Sequence, residues 1–265
     1  MKRTPVCGAL VFALLVGPTV QAEPGPGQGD GNVTALGRLE PRGGPVRVAG
    51  PSEAFAVIAE LSVAEGDVVE AGQSLARLDR YPLRLALVRQ REAELTVAQQ
   101  ELARAKQLST GRAGAKSRQD DAEGAVRAGR AVLEAARAQL ELAVVRAPIA
   151  GRVLEVHARP GERVGDQGVL ELGRTDEMFA VAEVYETDIG RVEVGQRAIV
   201  TSPALATPLE GTVDRIGLKV GKLDVLGTDP VAKTDARVVE VDIRLDDGER
   251  VSHLTNLQVE VALVR

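Results

Sequence analysis

The sequence predicts a mainly β protein with a long α-helical coiled-coil hairpin. The β part reads as a small β-sandwich in two halves plus a small antiparallel β-barrel, in an elongated arrangement. Three observations carry that expectation: a duplicated β motif, a helical insert between its copies, and evenly spaced short strands after the second copy. Residues 58–69 repeat as 153–164 at an offset of 95, and 74–78 repeat as 168–172 at an offset of 94. Each copy reads as strand, Gly-acid corner, short strand, turn and strand. A unit that small cannot bury its apolar face alone, whereas two copies that meet can. The chain therefore leaves a β-domain midway and returns to finish it.

From the start, residues 1–22 read as a signal peptide or N-terminal anchor. Lys2 and Arg3 precede an apolar core of 11 residues over 6–16, and Val20-Gln21-Ala22 offers small residues for cleavage before Glu23. That core is short of the roughly 20 residues a membrane-spanning helix needs. Cys7, the only cysteine, falls in this segment, so a cleaved chain would have neither disulfides nor thiol chemistry. Residues 23–45 read as a Gly/Pro linker leading to a strand over 33–39, the first of the barrel or of a membrane-proximal module. The β-sandwich takes 46–79 and 147–175.

Between them, 80–146 follows a heptad. Val88, Leu95 and Leu102 recur at seven-residue steps with Ala98 and Ala105 three further on. Val126, Leu133 and Leu140 repeat this, with Gly129, Ala136 and Ala143 three further on. One large and one small residue per repeat lets two helices approach closely. Each arm is about 25 to 28 residues, roughly 40 Å at 1.5 Å per residue. The polar, glycine-containing stretch over 109–117 makes the turn, and Ser117 ahead of Asp120 and Asp121 reads as an N-cap. Over 176–265, strands are expected at 179–184, 197–201, 211–218, 238–245 and 257–264, closing a barrel.

Composition narrows the function. Aromatic residues make up 2% with no Trp, which disfavours a base-stacking surface or a deep aromatic pocket. A net charge of −5 speaks against nucleic acid. The hairpin differs: residues 80–146 hold 13 Arg and Lys against 8 Asp and Glu. That reads either as a solvated face or as a tip, with Arg112, Lys116 and Arg118, that meets an acidic partner. No catalytic constellation is present, so an enzyme is not expected. His157 and His253 read as ordinary surface histidines, with no metal ligands and no cofactor. Asp246-Asp247-Gly248-Glu249 reads as a turn.

A two-half β-domain of this kind resembles the lipoyl/biotinyl fold. Carriers of that fold hold their cofactor on a lysine in the hairpin between the halves. Here the helical insert replaces that hairpin, and its lysines, Lys106 and Lys116, lie far out near the helix tip. The domain then reads as a scaffold.

A leader, a lipoyl-like half, a coiled-coil hairpin, the second half and a barrel, in that order, resemble the HlyD-type periplasmic adaptors, or membrane fusion proteins. Several runs are most like the DevB family of ABC exporter adaptors: Gly37-Arg38-Leu39-Glu40-Pro41-Arg42-Gly43, Leu226-Gly227-Thr228-Asp229-Pro230, Asp235-Ala236-Arg237-Val238-Val239-Glu240-Val241 and Leu254-Thr255-Asn256-Leu257-Gln258-Val259. Gly66-Asp67, Gly72-Gln73 and Ala147-Pro148-Ile149-Ala150-Gly151 match the wider superfamily.

The resemblance implies a periplasmic location at the inner membrane of a Gram-negative-type envelope. It implies an inner-membrane ABC permease with its ATPase, a TolC-like outer-membrane channel as partner, and a homo-oligomer, a hexameric ring. Family tips carry an Arg, a Leu four residues on and a Ser seven beyond that. Arg104 and Leu108 match the first spacing; Ser117 comes nine residues later, and Lys116 stands where the family has an aliphatic. The partner-docking residues implied are Arg104, Leu108, Arg112 and Ser117. Two alternatives stand beside this reading: a biotin- or lipoyl-type carrier subunit, and an envelope coiled-coil spacer.

Overall fold

The computed structural model describes residues 32–50, 56–108, 113–222 and 237–264. The leader over 1–22, the linker up to 31, Arg112 and the runs at 226–230 and 235–236 lie outside the described residues. The chain opens on β1 (Val33–Pro41), then β2 (Val46–Val48), β3 (Ile58–Leu61), β4 (Val68–Val69) and β5 (Ser74–Leu78). Two long helices follow, α1 (Tyr81–Leu108) and α2 (Ala113–Glu141). β6 (Val144–Arg146), β7 (Gly151–Val156) and β8 (Leu170–Gly173) complete the β-sandwich. The last segment holds β9 (Met178–Tyr185), β10 (Arg197–Thr201), β11 (Leu209–Lys222), β12 (Arg237–Leu245) and β13 (Gln258–Val264).

The repeat assembles by exchange. The sandwich pairs a sheet of order β2-β8-β7-β4 with a sheet of order β3-β5-β6. The first copy's β4 pairs with the second copy's β7 at Val68↔Arg152, and the second copy's Arg163 pairs with Val57 of the first. Those pairs are images of one another at the 95-residue offset. The corners behave alike: Gly66 N–H donates to Val153 O and Gly161 N–H to Ile58 O, both at 2.8 Å. Each corner glycine has positive φ, 91° and 90°, where an L side chain is strained. The acid beside it caps the turn, since Asp67 Oδ2 accepts from Ala64 N–H and Glu162 Oε2 from Arg159 N–H, both at 2.8 Å. Neither half has a complete ladder alone. The apolar face they close together includes the fully buried Ile58, Leu75, Val169, Leu170 and Leu172.

Space around Gly66 is open, so alanine there meets no atom and only the dihedral is penalised. Gly66→Ala should cost about 1–2 kcal/mol, and Gly161→Ala the same, by reversible denaturation. A loss confined to one of the pair would contradict the symmetry of the exchange.

The hairpin packs as its heptad predicts. Val88, Leu133 and Ala136 are buried, with Leu95 and Leu140 packed against them. A Cβ on Gly129 would come within 3.3 Å of Leu95 Cδ1, so the small position is where the helices approach. Arg137 reaches Glu92 at 2.7 Å and Arg84 reaches the Gln139 carbonyl at 2.7 Å across the helices. Two details differ from the expectation. Ser117 does not cap α2, which begins at Ala113; Ala113, Ala115 and Lys116 are good helix formers and carry the helix one turn earlier. Ala143 lies past the end of α2, fully buried in the turn, where its carbonyl accepts Leu78 N–H at 3.0 Å.

The barrel is closed and antiparallel throughout, in the order β1-β13-β10-β11-β12-β9, with β9 returning to β1. Alternation of buried and exposed residues along β1, β10 and β13 sends one face to a core that includes Leu39, Val241, Ile243, Val261 and Leu263. Full burial of each such side chain is worth about 1.5–3 kcal/mol. β11 runs longer than expected, and register shifts after Val213 and Ile216 let it bend while staying paired to β12. The chain enters the barrel through β1, passes through the sandwich and hairpin, and returns to the barrel at β9.

Candidate partner-docking site

Of the four docking residues that the sequence singles out, Arg104, Leu108 and Ser117 lie toward the end of the hairpin, and Arg112 is outside the described residues. Leu108 is the last residue of α1 and is 72% exposed. Arg104, one turn earlier, has a side chain 62% exposed and paired to Glu101 at 2.8 Å. Residues four apart share a helix face, so Arg104 and Leu108 form one short stripe on the final turn. Ser117 is exposed in the second turn of α2. Contacts between Leu95 and Gly129 and between Lys106 and Glu123 set an antiparallel register. Continued outward, it brings Ser117 level with the end of α1. Leu108 and Arg104 thus stand exposed on the last turn of an arm about 40 Å long, outside the buried seam of the hairpin.

This arrangement offers contact chemistry only. Arg104–Glu101 is an exposed ion pair of the kind worth about 0–1 kcal/mol. A partner's carboxylate can therefore compete for Arg104 at little cost. Farther down α1, hydrogen bonds from Arg91 and Gln90 hold the Glu94 carboxyl below its ordinary range. Its small stabilising effect is present above the ordinary carboxylate pKa and is lost as pH falls through the lowered value. The lysines of the insert are unsuited to a swinging arm, since Lys106 faces Glu123 at 3.8 Å and Lys116 lies within α2.

Two clusters escaped the sequence reading. In the barrel, Arg38 joins Glu40, Glu183 and Glu240, with 3.1 Å to each of the last two. Burial works against the Arg38 charge, but hydrogen bonds and charges from Glu40 and Glu240 outweigh it and hold the proton more tightly than in ordinary arginine. This clamp joins the run at 37–43 to the run at 235–241, residues distant in sequence that meet only when β9 lies between β1 and β12. Gly37 belongs to the same device, because a Cβ there would stand 2.5 Å from Val181 O.

The second cluster corrects an expectation. His157 is not an exposed strand residue: its side chain is 10% exposed and lies between Glu155 and Glu171. Strand pairing, which local reading could not see, supplies Glu171 from β8. His253 is exposed, as expected.

With this geometry in place, known proteins are informative. Residues 56–170 match the family model described as "RND MFP, barrel-sandwich hybrid domain". The chain is 29% identical over 211 residues to the pyoverdine export membrane fusion protein PvdR of Pseudomonas aeruginosa, covering 65% of this chain and 51% of that one. It is 32% identical over 152 residues to the multidrug resistance protein MdtA of Cronobacter turicensis, covering 51% and 36%. The chain thus spans about half or less of the length of these curated relatives. Among solved structures, a MacA-MexA chimera with the Pseudomonas aeruginosa MexA α-hairpin domain superposes with a TM-score of 0.68 at 22% identity, over 88% of this chain and 79% of that one. MacA from Actinobacillus actinomycetemcomitans gives 0.66 at 18% identity, over 88% and 78%. At those identities the structural likeness concerns the fold: a β-rich architecture carrying a helical hairpin.

Proposed function

We propose that this chain, which belongs to the HlyD-type membrane fusion proteins, is the periplasmic adaptor of an efflux system, joining an inner-membrane transporter to an outer-membrane channel. The family is one of non-enzymatic structural linkers. The observation that carries the proposal is the hairpin itself: two antiparallel helices rooted between the halves of the sandwich, ending in an exposed leucine and cations. Leu108 at the end of this arm is exposed and has no part in the buried apolar seam of the described hairpin. Its residues carry net +5 while the rest of the chain carries −10, which favours an acidic surface at the far end.

The finer reading is an ABC permease with its ATPase as the inner-membrane partner, a TolC-like channel at the tip and a hexameric ring of adaptors in the periplasm. The DevB-like runs support the ABC assignment, and two of them build the Arg38 clamp. A second reading, an RND-type transporter as inner-membrane partner, is favoured by the domain description matched over 56–170.

Affinity purification of the tagged chain from detergent-solubilised envelope, with partners identified by mass spectrometry, separates these. An ABC permease with its ATPase is the expected result, together with an outer-membrane channel. An RND transporter in their place would move the assignment to the second reading. Recovery of no transporter, where a control complex survives, would overturn the adaptor reading in favour of an envelope spacer.

A further inference from the structure

Glu155 on β7 and Glu171 on β8 stand directly opposite one another across the antiparallel pair. Like charges in that position repel. One cation is close, Arg47 Nε at 3.0 Å from Glu171 Oε1. His157 lies two residues beyond Glu155, and its Nδ1 is 3.8 Å from Glu155 Oε1 while Nε2 is 3.7 Å from Glu171 Oε1. Those separations are too long for hydrogen bonds. Nε2 is buried and has no hydrogen-bond partner. Leaving a buried nitrogen unsatisfied is unfavourable, and a ligand at Nε2 would remove that cost.

One ligand atom from each of the three residues lies within 4.8 Å of the others. Zinc–ligand lengths of ~2.0–2.2 Å put tetrahedral ligands about 3.3–3.6 Å apart. A small rotation of Glu155, whose side chain is 65% exposed, closes the difference.

We propose that Glu155, His157 and Glu171 bind a divalent transition-metal ion of the zinc class, with water completing its shell. The donor set, one imidazole and two carboxylates, suits such an ion better than calcium or magnesium, which take oxygen only. The ion satisfies Nε2, relieves the repulsion of the facing carboxylates and ties β7 to β8. Arg47 holds Glu171 in place as an orienting partner. The site is not legible in the sequence because Glu155 on β7 and His157 just past its end are joined by a third donor, Glu171, that arrives only by strand pairing from β8.

The test is titration of the untagged full chain, stripped with chelator, first with Co²⁺ followed by its visible absorption and then with competing Zn²⁺. One equivalent of Co²⁺ with d–d bands, displaced by Zn²⁺, is expected. Glu155→Gln, a change at an exposed side chain that leaves the fold in place, should weaken binding at least about tenfold, as should His157→Gln. His253→Gln should bind as the parent does. Failure of the parent to take up metal at millimolar concentration would overturn the site, as would Glu155→Gln and His157→Gln chains that bind like the parent.

Discussion

Replacing Leu108 by aspartate should abolish export while leaving the protein folded. Leu108 ends α1 and is 72% exposed, so its loss removes little burial; surface changes of this kind stay within about 0.5 kcal/mol. At an interface the same side chain is an apolar anchor, and removing an anchor costs about 2 kcal/mol or more, roughly thirtyfold in affinity. Aspartate adds a desolvated charge to that loss. Thermal denaturation of the variant beside an export assay checks both halves of the expectation. Normal export would remove Leu108 from the docking surface. Arg104→Ala should act in the same direction but more weakly, since Arg104 is already paired within its own helix at 2.8 Å.

Arg38→Leu should have the largest effect on stability. It removes the cation among Glu40, Glu183 and Glu240, and Glu183 is 2% exposed. Breaking a buried ion pair costs 3–5 kcal/mol; the Arg38 side chain keeps 25% of its exposure, so about 3 kcal/mol is expected. Adding Glu183→Gln to Arg38→Leu should recover part of the loss, because it removes one of the negative charges that Arg38 offsets. A double-mutant cycle by chemical denaturation measures this coupling. Strict additivity would show that the clamp is a surface feature without energetic weight.

Much of the architecture was legible because its causes are periodic or duplicated. The repeat at offset 95 named both corners of the sandwich, and the structure shows why they match: each glycine corner bonds to the other copy. The heptad identified Val88, Leu133 and Ala136 as buried, and it anticipated the close approach at Gly129. What escaped depends on pairing across long separations. Arg38 meets Glu240 over 202 residues, and no local pattern announces that. Glu171 completes the histidine cluster through β-register alone, which is why His157 reads as a surface residue in sequence. The start of α2 is obscured where capping chemistry competes with propensity: Ser117 and its acids suggest a boundary, yet the alanines before them continue the helix to Ala113.

The measurement that tests the central claim most directly is site-specific photo-crosslinking in living cells. A photoreactive residue is placed at Leu108, at the far end of α1, and separately at Leu83, equally exposed near its base. If the hairpin docks by its tip, position 108 yields an adduct with an outer-membrane channel and position 83 does not. An adduct between position 108 and the inner-membrane transporter, or channel adducts from position 83 alone, would contradict the account.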